Sequence, residues 1–437
     1  VVASRAGGNP EIVEDGKNGS LVEPGDASGL ADAIIALLSD PARAEILARE
    51  AGKDLSRFSV ETQIHETSEE ILGDGKLSIL LVSRDGTAAD PASRTAARMR
   101  AYGDRVDRMH VVCLAKGDSA SVDLSDRVRV TRVDVRGAWK RPWKIFSAVR
   151  DAAIATRARL VVAQDPFEAG IVALSAARSV QAPLLVEEHG GVFLSEHWTG
   201  ESLKNRLLHP LGLFVLGRAA GIRAVSAKIE DDLRKRFPLK LIARVPVYSE
   251  PRACRSTAPS DAFGYVGRFV PQKNLFGLLW AFRRIAAELP SARLIMAGSG
   301  PLEQALRAHA AETGIAERID WIPYSEDVDA AYARIGTFVL SSWYEGWARV
   351  VPEAMSCGIP IVMTDVGCAQ EVVRNGVEGY VVPVGDADLM AQAMKEIADK
   401  GRHGLLAAAA RRRAETMPKQ EELIERVTGF WKKTAGV

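Results

Sequence analysis

Two carboxylates and two cations are the residues of this chain best placed to do chemistry. Glu345 and Glu353 bracket the stretch Glu345-Gly-Trp-Ala-Arg-Val-Val-Pro-Glu353, and Gly267-Arg268-Phe-Val-Pro-Gln-Lys273-Asn274 lies upstream of them. An arginine offers planar, bidentate donors that match a phosphate, and a lysine adds a point charge. Ionised carboxylates accept protons from hydroxyl groups, so they suit ribose and sugar rings. Set on strand-to-helix turns of one α/β domain, the four groups supply what a bound sugar nucleotide needs.

Each piece also has a plainer explanation. Gly267 permits a tight turn and a close backbone approach to a ligand, yet Arg268 and Lys273 on a surface turn are equally at home in solvent. Asn274 opens a helix and can cap it. In Gly298-Ser-Gly300-Pro301 a tight turn, with Pro301 at the first helical position, accounts for the whole motif. Pro352 and Glu353 read as the first turn of a helix, where proline needs no N–H and free N–H groups attract a phosphate. An acid there is also ordinary helix stabilisation, worth about 0.3–1 kcal/mol. Glu345, on a loop with Gly346, reads by itself as a solvated carboxylate. Singly the plain explanations win; jointly the four charged residues favour a site. The pairs Asp327/Asp329 and Asp386/Asp388 have metal-motif spacing, but both precede helical patterns and read as helix-start acids.

Short β-branched runs alternate with amphipathic stretches, the pattern of a parallel sheet with crossover helices. One series of predicted strands begins at Leu77 and ends at Val225; a second begins at Ala262 and ends at Val382. Between them Tyr248 to Ser260 is rich in Pro, Ser and Ala and reads as a hinge. The expected fold class is therefore α/β with two Rossmann-like domains facing a cleft, and ligands at the carboxyl ends of the strands. The expected boundaries are 76–250 for the acceptor-side domain and 258–420 for the donor domain. Residues 421–437 form a closing helix, with Leu423, Ile424, Val427, Phe430 and Trp431 at helical spacing.

An internal repeat precedes these domains. Gly7, Glu11, Val13, Gly16, Gly19, Val22, Gly25, Asp26 and Ala27 recur without gaps as Gly367, Glu371, Val373, Gly376, Gly379, Val382, Gly385, Asp386 and Ala387. Residues 1–72 are thus expected to be the tail of a second copy of the donor domain, a partial Rossmann-like fragment without the chemistry-bearing turns. It should either pack on the main body or lower solubility, because an incomplete sheet exposes an edge and apolar surface.

Composition narrows the function classes. The net charge of +1 argues against a globally basic nucleic-acid binder. The four cysteines, Cys113, Cys254, Cys357 and Cys368, form no CxxC pair. That suits a reducing cytoplasm better than a disulfide framework or a zinc site.

The order Gly267-Arg268…Lys273-Asn274, Gly298-Ser-Gly300, then Glu345-x7-Glu353 followed by Ala354-Met355 and Gly358-Ile359-Pro360 closely resembles the retaining glycosyltransferases of family 4, with the GT-B fold. The resemblance covers about Lys76 to the C-terminus. It implies that Arg268 and Lys273 bind the donor diphosphate, Glu353 the ribose and Glu345 the transferred sugar. Gly267, Asn274, Gly298, Gly300 and Gly346 complete the donor set. His189, in Glu187-Glu188-His189-Gly190-Gly191 after a strand, is similar to the family's catalytic-centre histidine, against the alternative of a capping or buried histidine. Gln164-Asp165-Pro166-Phe167 and Ser226 are further strand-end candidates. Much of the family has a Gly-rich loop after its first strand; Ser83-Arg84-Asp85-Gly86-Thr87 has one Gly, which leaves that loop's part in the phosphate site open.

The resemblance implies transfer with retention, from a nucleotide-sugar donor to a glycan or lipid-linked acceptor, with no metal and no other cofactor. A cytoplasmic enzyme of polysaccharide or glycolipid assembly is expected. Arg136 to Phe146 interleaves basic and aromatic residues, which suits anionic headgroups at the inner face of a membrane; the alternative is a loop whose tryptophans cover the core edge. Lys204-Asn-Arg206 and Leu207–Leu216 extend that surface or form a buried helix. Two other functions compete: a GT-B sugar-nucleotide epimerase and a non-catalytic nucleotide-sugar-binding scaffold. The retention of all four charged residues favours an enzyme.

Overall fold

The computed structural model describes residues 1–54, 77–137, 142–323 and 327–437. They divide into two compact units, Val1–Lys76 with Val437, and Leu77–Gly436.

The first unit pairs β1 (Val2–Ser4) with β2 (Ser20–Val22) in parallel and adds the helices Asn9–Ile12, Ala27–Ser39 and Pro41–Asp54. Its local structure repeats that of residues 360 further on. Asp26 caps its helix by accepting from Gly29 N–H, as Asp386 does from Leu389 N–H. The difference is burial. Leu30 and Ile34 are 40% and 42% exposed, whereas their counterparts Met390 and Met394 are at 2% and 0%.

In the second unit eight strands form one sheet and six another, among the described residues. The first holds β3 (Ser78–Ser83), β4 (Arg108–Ala115), β5 (Ala120–Ser125), β6 (Val128–Asp134), β7 (Leu160–Ala163), β8 (Leu184–Glu188), β9 (Gly221–Ala224) and β10 (Leu241–Arg244). Their order is β10-β9-β8-β7-β3-β4-β6-β5, parallel except for β5. The strand order reverses beside β3, so Ser83 and Gln164 end at a switch point, where crevices form.

The second sheet holds β11 (Ala262–Val266), β12 (Arg293–Ala297), β13 (Ile319–Ile322), β14 (Thr337–Leu340), β15 (Ile361–Thr364) and β16 (Gly379–Val382), ordered β13-β12-β11-β14-β15-β16 and parallel throughout. Continuous apolar runs such as Phe338-Val-Leu340 are fully buried, as a sheet covered on both faces requires. The chain then returns. Helix Gln420–Ala435 lays Leu423, Val427, Phe430 and Trp431 into the core of the first sheet, with Leu77, Ile79 and Tyr102. Each such buried side chain stabilises the return by roughly 1.5–3 kcal/mol. The connector between the sheets, beyond β10, has no regular structure until Ala262.

Four expectations need correction or completion. β5 carries too few apolar residues to announce itself, alternating between half-buried and exposed positions at a sheet edge, and β10, though apolar, is only four residues long. Cys254 and Cys357 form a disulfide across 103 residues of sequence. The spacing of the cysteines hides this, because the connector and the helix Val350–Ser356 meet only in the tertiary fold. Pro301 is not at a first helical position, since its helix starts at Glu303. Leu207–Leu216 lies in the helix Leu203–Arg218 and is neither wholly buried nor wholly surface. Of the basic-aromatic stretch, residues 138–141 lie outside the described residues, as do residues 55–72 of the expected upstream copy. Among the described residues no helix is long and apolar enough to cross a membrane.

Candidate functional site

The carboxyl ends of β11 and β12 build a slot. Gly267 N–H donates to Ala297 O at 2.9 Å, and Phe269 N–H to Ser299 O at 2.8 Å, so the two strand-end loops are laced by backbone bonds. A Cβ on Gly298, whose φ is +145°, would stand 1.9 Å from Gly267 O. Only glycine allows that approach, which is the structural reason for the motif. The slot, about 140 Å³, is lined by Gly267, Arg268, Gly298, Ser299, Val328 and Ala331. It is mostly apolar, with the exposed Arg268 at its rim. Gly300 lies beside it, against the backbone of Phe269.

Past β11 a short turn, Pro271–Lys273, delivers Lys273, and Asn274 then adopts a left-handed conformation. Its side chain accepts from Gly277 N–H and caps the helix Leu275–Glu288. This turn is tied to the loop after β14. Gln272 donates to Tyr344 O, and Ser341 Oγ donates to Lys273 O. The result is a compact polar group. Lys273 Nζ meets Glu345 Oε1 at 2.5 Å, and Ser342 Oγ donates to the same oxygen at 2.7 Å. Glu345 is only 8% exposed, so this is no solvated loop carboxylate.

Glu353 lies in the helix Val350–Ser356, four residues into it, with Pro352 in the first turn where its missing N–H costs nothing. The structure pairs Glu353 with residues the sequence did not single out. Arg252 Nη2, from the connector, donates to Glu353 Oε2 at 2.8 Å, and the Tyr332 hydroxyl donates to the same oxygen at 3.2 Å. Burial, and then the Glu353 charge, push the Tyr332 phenol well above its ordinary range, so it stays a donor. No sequence signal marks Arg252 or Tyr332, because neither lies in a motif.

The first sheet brings His189 to the cleft. His189 Nε2 lies 2.9 Å from Glu187 Oε2, and Arg223 Nη1 donates to Glu187 Oε1 at 3.0 Å. Arg223 in turn donates to Val245 O and Pro246 O at the start of the connector. Burial opposes ionisation of Glu187, but Arg223 and His189 outweigh it and hold that carboxyl down to about 2. An ionised Glu187 requires Nε2 of His189 to carry the proton, which leaves Nδ1 free of that bond. Next door, burial pushes the Glu188 carboxyl up to about 7 against the N–H donors of Gly191 and Gly190. A cavity of about 300 Å³ is lined by His189, Glu187, Arg98, Tyr102 and Gln164 at the switch point of the sheet. Arg84 is turned to Glu168, and Asp85 accepts from Thr87 N–H and its hydroxyl, so the first loop closes on itself. Ser226 is fully buried at the start of the helix Ala227–Arg236.

The two sheets meet at these loops. A Cβ on Gly191 would be 2.3 Å from Glu345 O. The His197 ring stacks on Trp343 at 3.8 Å, the Tyr344 hydroxyl donates to Glu201, and Lys228 pairs with Asp365 at 2.6 Å. Beside them Gly191, Lys228, Tyr344, Glu345 and Gly367 line a cavity of about 350 Å³. Lys273, Asn274, Glu345, Gly346 and His189 are thus brought together. Gly267, Arg268 and Gly298 line the slot with Gly300 beside it, and Glu353 bonds Tyr332 on the helix Val328–Ala333 that lines it. Asp327 and Asp386 cap helices, as their sequence context suggested.

Comparison with known proteins follows the same division. The model "Glycosyl transferases group 1" matches residues 256–416, and "Glycosyl transferase 4-like domain" matches residues 88–247. A second group 1 model matches residues 1–40. The O-antigen chain mannosyltransferase B of Escherichia coli is 36% identical over 130 residues, 28% of this chain and 33% of that protein. A D-inositol 3-phosphate glycosyltransferase of Mycobacterium marinum is 34% identical over 156 residues, 33% of this chain and 32% of that protein. The chain therefore spans about a third of the length of these curated relatives. Among solved structures, a sucrose-phosphate synthase of Thermosynechococcus elongatus superposes with a TM-score of 0.67 at 20% identity, covering 82% of this chain and 99% of that one. The Anabaena HepE protein, solved with UDP and glucose, gives 0.61 at 18% identity, covering 81% and 99%. These likenesses show the fold. With both sheets matched in order and the group 1 motifs on the loops described, the chain belongs to the family 4, group 1 glycosyltransferases of GT-B fold, with an additional group 1 fragment at residues 1–40.

Proposed function

We propose that the chain transfers a glycosyl group, with retention, from a nucleoside-diphosphate sugar to a glycan or lipid-linked acceptor in polysaccharide or glycolipid assembly. The observation that carries this reading is the group Lys273–Ser342–Glu345, set directly opposite the His189 loop. Lys273, in that group, and Arg268, at the rim of the slot, face the diphosphate. Cleavage of the anomeric C–O bond leaves negative charge on that diphosphate, so both cations bind the transition state better than the ground state. Glu345 orients the sugar ring, Glu353 the ribose, and the apolar slot takes the base. The departing phosphate accepts the acceptor hydroxyl's proton on the same face of the sugar. Closure of the cleft excludes water and limits donor hydrolysis. The acceptor occupies the cavity beside His189.

The Cys254–Cys357 bond removes the support that unpaired cysteines gave to a reducing, cytoplasmic placement. Contact with a membrane surface is supported by the helix Leu203–Arg218. Leu203, Leu207, Leu211 and Phe214 form an exposed apolar stripe, with Lys204 and Arg206 beside it. Trp143 is exposed on another helix, Pro142–Thr156.

The test is thermal-shift binding of UDP, GDP, ADP and CMP, without metal, to the chain and to Arg268→Ala. Stabilisation by one nucleotide, lost in the variant, is the expected result. No response to any of the four would turn the reading toward a scaffold.

A further inference from the structure

We propose that Arg252, on the connector between the sheets, is a positioning residue for Glu353, and that the Cys254–Cys357 disulfide holds Arg252 in place. The inference rests on the reading of Glu353 as the ribose carboxylate. Arg252 and Tyr332 both bind one carboxylate oxygen, Oε2, at 2.8 and 3.2 Å. The other oxygen, Oε1, has Arg349 at 3.8 Å, beyond hydrogen-bond distance. One oxygen is thus fixed and the other left to accept hydroxyl protons, the arrangement a ribose diol requires.

Arg252 is itself held. Its main-chain N–H donates to Ser356 Oγ at 2.9 Å, and Nη1 faces Asp329 Oδ1 at 3.8 Å. Two residues on, Cys254 is bonded to Cys357, which ends the helix bearing Glu353. Asp329 and Tyr332 belong to the helix whose Val328 and Ala331 line the slot beside Arg268. The ion pair therefore joins three parts: the connector, the helix at the base slot and the helix at the ribose. Its side chains are 14% and 6% exposed. A solvated surface pair contributes little, but removing one partner here strands a buried charge that will then re-aim.

The experiment is calorimetric titration of the full chain with UDP, GDP, ADP and CDP, each beside its 2′,3′-dideoxy analogue. The wild-type chain should prefer the ribose form of its nucleotide by about tenfold. Arg252→Ala and Arg252→Gln should lose that preference while binding the dideoxy form as the wild type does, and Arg252→Lys should recover part of it. Cys254→Ser should move the preference in the same direction by less. A purely structural pair would lower affinity for both forms alike. Binding of none of the four nucleotides by the wild type overturns the donor-site reading itself. A ribose preference that survives in the Arg252 variants overturns the role of Arg252. Should both the Ala and Gln variants unfold, Arg252→Lys and Cys254→Ser decide: an undiminished preference in both overturns the proposal.

Discussion

The backbone of Gly346 lies against the carbonyl of His189: a Cβ on residue 346 would sit 1.7 Å from that oxygen. The contact joins a loop of the second sheet to a loop of the first, and it exists because residue 346 has no side chain. Gly346→Ala must push the loops apart. It should lower kcat/KM by tenfold or more, about 1.4 kcal/mol, while nucleotide binding stays close to normal, since Arg268 and Lys273 remain on their own sheet. Parallel turnover and titration assays read this; an alanine variant with normal turnover would show that the two loops need not meet.

Glu345 can be neutralised without changing its shape. Glu345→Gln keeps an acceptor for Ser342 but removes the charge facing Lys273. Transfer should fall by about 10²–10³-fold, the scale of a lost electrostatic group in an enclosed site, with nucleotide binding retained. Normal turnover would remove Glu345 from the mechanism.

Glu187 and Glu188 are neighbours in sequence with opposite titration. Glu187, held at about 2, stabilises the fold above its unfolded value near 4.5, and that contribution is lost as pH falls toward 2. Glu188, raised to about 7, favours the fold below 4.5, and its contribution is lost as pH rises through 7. A tenfold difference in proton affinity between the folded and unfolded chain corresponds to about 1.4 kcal/mol. At pH 8, Glu187→Gln should therefore lower Tm, leaving Arg223 buried without its partner, and Glu188→Gln should raise it. The Glu188 difference should vanish near pH 4, whereas the Glu187 difference should shrink only as pH falls from about 4 toward 2. Melting curves of the two variants across pH 3–8 test this, and a same-sign effect at pH 8 contradicts it.

The apolar stripe on Leu203–Arg218 makes a separate prediction. Leu207→Asp places a charge in its middle at a position 67% exposed. Sedimentation with vesicles containing anionic lipid should drop several-fold, with nucleotide binding unchanged. Equal sedimentation of wild type and variant, or none of either, would take the membrane out of the picture.

The charged residues, their spacing and the strand series were legible because they obey local rules. A Gly after a strand, an Asn before a helix, or a buried parallel strand is announced by its own neighbours, and the gapless repeat of residues 2–33 announces a second copy of a local fold, which the group 1 match at residues 1–40 bears out. β5 was not legible, since an edge strand carries a weak apolar pattern, and β10 was not because four residues are too short a run to show a period. What only the tertiary structure decided are the partnerships. Nothing near Arg252 or Cys254 in sequence points to Glu353 or Cys357, about a hundred residues away. Those pairs form because the connector runs along the helix Val350–Ser356, and the cost of stranding a buried charge then selects its partner. The same holds for Glu345. Its type and place were set by sequence, but whether it was a solvated acid or a buried one bound by Lys273 and Ser342 depended on two loops from different strands closing on each other.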